Sequence, residues 1–176
     1  MHFSNAAVTS DFRLDLECRS MSERDEFWMR AALDAARQAL AIDEVPIGAC
    51  LVSEDGATAA TAFNQTISLN DPTAHAEILT IRQYANQVSN YRLTGATMYT
   101  TIEPCAMCAG ALVNARIRRV VFGAIDERFG AVRTLYQICD DPRLNHRMEI
   151  TGGVLADECR SLMQEFFKAK RQGSGT

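Results

Sequence analysis

The chain has 176 residues and a formal net charge of -4, with 47% apolar and 23% charged residues. These values indicate one globular domain that is long enough to bury a core, and no apolar run approaches the length of a membrane span. The net negative charge argues against a general nucleic-acid coat, because non-specific phosphate binding requires a cationic face.

The expected cellular location rests on the first twenty residues and on the cysteines. The first twenty residues lack both a basic start and a continuous hydrophobic stretch, so we expect no secretory signal. Two of the six cysteines belong to a metal-binding pattern described below, and the others are scattered without the spacing of a disulfide framework: Cys18, Cys50, Cys139 and Cys159. We therefore expect reduced thiols and a cytoplasmic protein.

The first predicted elements are a helix and a hairpin. Ser22 is the predicted N-cap of a helix over residues 22–41, in which apolar residues recur at helical spacing. Residues 47–52 form a predicted buried strand, and a tight turn leads to a second strand over residues 57–64. Residues 1–21 are expected to be a weakly structured N-terminal extension.

Helices and strands then alternate through the middle of the chain. A helix is predicted from about residue 74 to residue 88, and a strand over residues 97–102. A short helix follows through about residue 114, with Pro104 at its first position, and residues 119–124 form another buried strand.

The last predicted elements are a short helix near residues 134–139, a strand at residues 149–151 and a closing helix over residues 156–170. This alternation of strands and helices predicts an α/β layered sandwich. We expect residues 22–171 to form a single domain and residues 172–176 to form a flexible tail.

Two short motifs carry the chemistry: His75-Ala76-Glu77, and Pro104-Cys105-Ala106-Met107-Cys108 about thirty residues later. His75, Cys105 and Cys108 supply three zinc ligands. A catalytic zinc site keeps three protein ligands and leaves one position for water, whereas a structural site has four. Together the motifs are typical of zinc-dependent nucleobase deaminases.

The remaining polar group of the motif, Glu77, is a carboxylate suited to moving a proton. Zinc lowers the pKa of water, and Glu77 would pass the water proton to the base and then to the departing amine. Because His75 and Glu77 are two residues apart, they converge only if the site lies beyond the end of the helix axis. His2 and His146 are not expected to be ligands.

Longer stretches resemble the bacterial tRNA-specific adenosine deaminases. The similar stretches are residues 45–49, 70–78, 90–93, 103–110, 119–124, 145–147 and 155–159. The resemblance extends over about residues 24 to 171. It implies a homodimer of the cytidine-deaminase fold, a three-layer α/β/α sandwich whose mixed sheet has five strands and helices on both faces.

The resemblance also implies a reaction and roles for individual residues. The reaction is the conversion of adenosine to inosine at the first anticodon position, with the tRNA anticodon stem-loop as partner and one Zn²⁺ per subunit. Asn64 matches a position that hydrogen-bonds the flipped base, Asp126 a position near the anticodon-loop backbone, and Phe167 the helix that contacts this loop. Lys170 replaces an arginine of the family, and Asn114-Ala115 replace His-Ser.

Other functions are also compatible with these motifs. A deaminase of a free base or nucleoside, such as cytosine, cytidine or guanine, would have the same metal site. A non-catalytic zinc-containing subunit that only positions RNA would have no use for Glu77, and a redox Cys-x-x-Cys protein would leave the His-x-Glu motif unexplained. Arg116, Arg118 and Arg119 form a local basic cluster that is either an RNA contact or a solvated face.

Overall fold

The computed structural model describes residues 20–173, which form five strands and four helices. In chain order these are α1 (Met21–Leu40), β1 (Gly48–Val52), β2 (Ala59–Phe63), α2 (Ala76–Val88), β3 (Thr97–Ile102), α3 (Ala106–Asn114), β4 (Arg119–Ala124), β5 (Glu149–Gly152) and α4 (Ala156–Gly173). Nearly all of the predicted N-terminal extension, residues 1–19, and residues 174–176 of the predicted tail lie outside the described residues.

The strands form one mixed sheet in the order β2-β1-β3-β4-β5. The predicted hairpin is present, since β1 pairs antiparallel with β2, and β1 also pairs antiparallel with β3. The pairs β3-β4 and β4-β5 are parallel. Consequently β2, β3 and β4 all run in one direction, and their carboxyl ends meet at the same edge of the sheet.

Each face of the sheet has its own hydrophobic core, because successive side chains of a strand point to opposite faces. On one face Leu51 and Met98 pack against Tyr84 of α2 and Leu112 of α3. On the other face the neighbouring strand residues pack against α1 and α4: Cys50, Tyr99 and Val121 meet Trp28, Met29 and Cys159. The three-layer α/β/α sandwich with a five-stranded mixed sheet is therefore confirmed.

The first helix begins earlier than predicted. Its N-cap is Ser20, whose side chain accepts a hydrogen bond from the backbone N–H of Glu23, while the Glu23 carboxylate accepts from the backbone N–H of Ser20. This is a capping box, which satisfies two backbone donors at once. The prediction of Ser22 as N-cap was wrong, because Ser22 already lies inside the helix.

A buried ion pair connects α1 to the sheet. Arg119 at the start of β4 donates two hydrogen bonds to the carboxylate of Asp25, at 2.8 and 2.7 Å, and a third to the hydroxyl of Thr151. Tyr99 donates its hydroxyl hydrogen to the same carboxylate at 3.0 Å. The sequence grouped Arg119 with an exposed basic cluster, but the side chain is buried and links α1 to strands β3, β4 and β5.

The connection between β4 and β5, residues 125–148, contains turns but not the predicted helix near residues 134–139. The closing helix α4 continues through Gly173, three residues beyond its predicted end, so Gln172 and Gly173 are helical rather than part of a tail. Within residues 20–173, every helix is too short or too polar to span a bilayer.

Candidate metal and catalytic site

Two of the three predicted metal ligands are the residues that precede helices. His75 is the N-cap of α2 and Cys105 is the N-cap of α3, both with extended backbone, and neither side chain makes a capping hydrogen bond. Their side chains are therefore available to a metal ion instead. Cys108 lies in the first turn of α3. Because the N-cap is Cys105, Pro104 precedes the N-cap and does not occupy the first helical position, contrary to the prediction.

The three ligand atoms lie at distances that suit a tetrahedral zinc ion. The Nδ1 atom of His75 is 3.7 Å from the Sγ atom of Cys105 and 3.6 Å from that of Cys108, and all three atoms lie within 4.8 Å of one another. Zinc bonds of about 2.0–2.1 Å to nitrogen and about 2.3 Å to sulfur give nitrogen–sulfur edges of about 3.6 Å in a tetrahedron. The donor set and its spacing therefore fit zinc.

Hydrogen bonds among the three side chains shift their pKa values in different directions. Hydrogen bonding from Cys108 and then from His75 lowers the pKa of the Cys105 thiol to about 4, and the hydrogen bond with Cys105 raises the pKa of His75. The hydrogen bond between Cys105 and Cys108, together with burial, raises the pKa of Cys108. Thiolate is the form that binds metal, so zinc binding releases the remaining protons from the site.

Glu77 lies beside the triad and is only 4% exposed. It follows Ala76, the first residue of α2, and hydrogen-bonds with the Cys108 thiol. Burial raises its pKa. Because His75 precedes the helix and Glu77 lies in its first turn, the two side chains meet beyond the end of the helix axis, as the sequence required. Glu77 therefore lies next to the candidate ligands without being one of them.

Asn64 follows the end of β2 and is 4% exposed. Its side-chain oxygen accepts a hydrogen bond of 2.9 Å from the backbone N–H of Ala76, directly after the ligand His75. This bond fixes the orientation of the amide, so the side-chain NH₂ group is the part that remains to donate to a substrate.

Asp126 follows the end of β4, on the segment that pairs with the metal site. An isolated β-bridge joins Cys105 to Gly130, and the Asp126 side chain accepts from the backbone N–H groups of Arg128 and Phe129 at 2.9 and 3.1 Å. Asp126 is half-buried. One carboxylate oxygen is thus engaged in its own turn.

Phe167 is not brought to the triad in the same way. It lies on α4, which packs on the face of the sheet opposite to α2 and α3. Its ring is 42% exposed and contacts the ring of Phe166 edge to face at 5.3 Å. Lys170, on the same helix, forms an ion pair with Asp43, and its Nζ atom lies 5.5 Å from the centre of the Phe166 ring. His146 bonds to the carbonyl oxygen of Ile117 at 2.6 Å, so it is not part of the triad.

Two buried glutamates beside the site were missed as functional candidates. Glu44 is fully buried and accepts hydrogen bonds from the backbone N–H groups of Ile67 and Ser68, in the loop between Asn64 and His75. Glu103 is 2% exposed and accepts from the loop after β4. The sequence offered one signal for Glu103, its position immediately before Pro-Cys, and none for Glu44.

A family model for the zinc-binding region of cytidine and deoxycytidylate deaminases matches residues 22–124. A protein of Haemophilus influenzae named tRNA-specific adenosine deaminase is 46% identical over 151 residues, which are 86% of this chain and 87% of that protein. A protein of Bacillus subtilis with the same name is 42% identical over 149 residues, covering 85% and 92% of the two chains.

Solved structures give the same result. One structure, from a study of A-to-I editing by tRNA:A34 deaminases at the wobble position of transfer RNA, has a TM-score of 0.73 and 42% identity. The match covers 77% of this chain and 98% of that one. A guanine deaminase from Nitrosomonas europaea has a TM-score of 0.70, covers 94% and 97% of the two chains and is 21% identical, which shows the shared fold alone.

The family model describes a zinc-binding region, and His75, Cys105 and Cys108 have the spacing that zinc requires, so zinc is the cofactor of this chain. The chain belongs to the zinc-binding cytidine and deoxycytidylate deaminase family, with proteins named tRNA-specific adenosine deaminase as its relatives.

Proposed function

We propose that the chain is a zinc-dependent hydrolase that converts adenosine to inosine at the first anticodon position, the wobble position, of a tRNA. The observation that carries the proposal is the buried Glu77 carboxylate beside a metal site with three protein ligands. A site of this kind keeps one position for water, and Glu77 is not among the three candidate ligands of the described residues. The names of the relatives supply the substrate.

The chemistry requires one water molecule and one proton carrier. When bound, zinc lowers the pKa of water so that hydroxide is available near neutral pH. Glu77 accepts the proton released from water and delivers it to the ring nitrogen adjacent to the attacked carbon. It then takes the proton of the new hydroxyl group on the attacked carbon and gives it to the amine, which leaves as ammonia as the C–N bond breaks and the hydroxyl becomes the carbonyl of inosine.

Substrate binding is assigned to three further residues. The Asn64 NH₂ group, oriented by its bond to Ala76, donates to the flipped adenine. Asp126 contacts the anticodon-loop backbone near the metal, and the exposed ring of Phe167 contacts the same loop from α4. A loop nucleotide is already weakly stacked, so flipping it costs little and recognition relies on shape and base edges. This explains how a chain of net charge -4 acts on RNA.

The test is a comparison of substrates under identical conditions. The zinc-loaded protein is incubated with an anticodon stem-loop that carries adenosine at the first anticodon position, and separately with adenosine, cytidine and guanine. Ammonia release and inosine in the RNA are measured. We expect the protein to turn over the stem-loop and none of the three small molecules. Rapid turnover of any free base or nucleoside would favour the small-molecule deaminase. A stem-loop with guanosine at that position is the matched negative control.

We further propose that the protein is a homodimer located in the cytoplasm, where tRNA is found. Exposed apolar side chains on the connection after β4 support an interface with a second copy: Ile125 (53% exposed), Phe129 (66%), Leu135 (51%) and Tyr136 (59%). Light scattering should give a mass of twice 19.4 kDa. Tyr136→Glu should shift the mass toward the monomer, and a monomeric wild-type protein would contradict the proposal.

A further inference from the structure

A single carboxylate holds the loop after β4 against the metal-bearing segment. The Oε1 atom of Glu103 accepts hydrogen bonds from the backbone N–H groups of Val132, Arg133 and Thr134, at 3.1, 2.7 and 3.0 Å. Its Oε2 atom accepts from the backbone N–H of Asp126 at 3.2 Å and from the hydroxyl of Thr134. Residues 126–134, called the anchored loop below, are therefore fixed by one side chain at both of their ends.

The same segment has further contacts with the anchored loop. The backbone N–H of Ala131 donates to the carbonyl oxygen of Pro104 at 2.8 Å, and Cys105 forms its β-bridge with Gly130. A Cβ atom at Gly130 would lie 2.5 Å from the Glu103 carboxylate and 2.5 Å from the Asp126 carbonyl oxygen. The backbone of the loop therefore lies as close to Glu103 as glycine allows.

Glu103 has no free hydrogen-bonding capacity for chemistry. Five donors occupy its two oxygens, and the residue is 2% exposed. A carboxylate with about four lone-pair sites is saturated by such a set. It cannot contact substrate, so its influence on the reaction must pass through the loop that it holds.

We propose that Glu103 is a positioning residue, which fixes the anchored loop so that Asp126 is presented to the nucleic acid beside the metal site. The proposal rests on the function proposed above, because it assumes that Asp126 contacts the substrate. Asp126 is held twice: its backbone N–H by Glu103, and its side chain by the N–H groups of Arg128 and Phe129. These bonds restrict the orientation of the Asp126 side chain, and its Oδ2 atom is the oxygen that neither of the two side-chain bonds uses.

The variant Glu103→Gln tests this with little change in shape. An amide has one oxygen acceptor, so it keeps the bonds to Val132, Arg133 and Thr134 but turns an NH₂ group toward the N–H of Asp126. Glu127→Gln, an exposed acid in the same loop, is the matched control for the loss of one negative charge. Thr134→Val removes one donor and leaves the carboxylate, in case Glu103→Gln does not fold.

Three measurements are made on zinc-loaded protein: kcat and KM for the stem-loop, zinc content, and hydrogen exchange of the amides of residues 126–134. In Glu103→Gln we expect kcat/KM to fall by about tenfold or more, and exchange in the anchored loop to accelerate, while zinc stays at one per chain. Thr134→Val should change the same quantities in the same direction by less. Glu127→Gln should change none of them.

A double-mutant cycle with Asp126→Asn separates positioning from general stability. Asparagine keeps the side-chain oxygen that accepts from Arg128 and Phe129, so the turn survives while the charge is lost. If Glu103 acts through Asp126, adding Glu103→Gln to Asp126→Asn lowers kcat/KM by less than about twofold. An equal loss in both backgrounds, a loss of zinc in proportion to activity, or unchanged exchange in the loop would overturn the proposal. A wild-type protein inactive on the stem-loop would instead overturn the proposed function.

Discussion

At the scale of single residues, two buried glutamates of the same site differ because their surroundings differ. Glu77 is 4% exposed, and burial raises its pKa. Burial alone would also raise the pKa of Glu103, but hydrogen bonds from Thr134 and from the backbone N–H groups of Arg133, Thr134 and Asp126 lower it. Glu103 is thereby kept as a fixed anion, while Glu77 has the freedom to exchange a proton.

The role of Glu77 is tested by an isosteric change. Glu77→Gln should lower the turnover of the stem-loop by about 10²–10⁴-fold, because glutamine has the same shape but cannot accept the water proton. The variant should still bind one zinc per chain, since Glu77 is not one of the three ligands. Glu54→Gln, an exposed acid at the opposite edge of the sheet, is the control. Full turnover in Glu77→Gln would remove this residue from the mechanism.

Asp141, in the connection between β4 and β5, is expected to make the stability of the fold depend on pH. Side-chain and backbone hydrogen bonds from Arg143 lower the pKa of Asp141 from 3.8 to about 2. A lowered folded-state pKa means that the carboxylate stabilises the fold fully above pH 3.8 and loses this effect as the pH falls toward about 2. The difference in urea midpoint between wild type and Asp141→Asn should therefore shrink from pH 5 to pH 2.5. A constant difference would contradict the assignment.

Among the elements, α1 begins two residues earlier than predicted, because Ser20 rather than Ser22 forms the capping box with Glu23. Ser20→Ala should reduce the free energy of unfolding by about 1 kcal/mol, because it removes the capping box with Glu23. Ser22→Ala is the matched control and should change stability by less than about 0.5 kcal/mol. Urea unfolding measures both variants, and a larger effect of Ser22→Ala would restore the cap predicted from the sequence.

Local patterns predicted the strands well and the connection after β4 poorly. The strands at residues 97–102 and 119–124 have the predicted bounds, because continuous runs of buried residues mark them. The predicted helix near residues 134–139 is absent, and its backbone N–H groups bond elsewhere: Ile138 donates to the carbonyl oxygen of Ala131 rather than to that of Thr134, and Leu135 donates to Gly130. The bonds from residues 132–134 to Glu103, about thirty residues earlier, also leave no pattern in the local sequence.

At the scale of the whole molecule, strand direction explains why the site residues converge. Since β2, β3 and β4 run the same way, Asn64, Cys105 and Asp126 follow strand ends at one edge of the sheet. Ligand sites of open α/β sheets lie at this edge. The metal ligands could be predicted from their motif, and the sheet order that brings Asn64 and Asp126 to them could not be derived from residue spacing alone.

The buried ion pair between Asp25 and Arg119 is expected to contribute to the free energy of unfolding of the whole domain. Asp25→Asn should cost about 3–5 kcal/mol, because it leaves the buried guanidinium of Arg119 without its charged partner. Asp34→Asn, on the same helix, breaks an exposed ion pair with Arg37 and should cost less than about 1 kcal/mol. Thermal or urea unfolding of both variants gives the comparison. Equal costs would mean that Asp25 does not link α1 to the sheet.

In the proposed reaction, zinc held by His75, Cys105 and Cys108 acts with Glu77 to deaminate the first anticodon adenosine of a tRNA. The most direct test is sequencing of tRNA for inosine in cells that lack this protein and are supplied with the wild type or with Glu77→Gln. We expect inosine at the first anticodon position with the wild type and adenosine with Glu77→Gln. Inosine at the same level with both proteins, or adenosine with both, would contradict it.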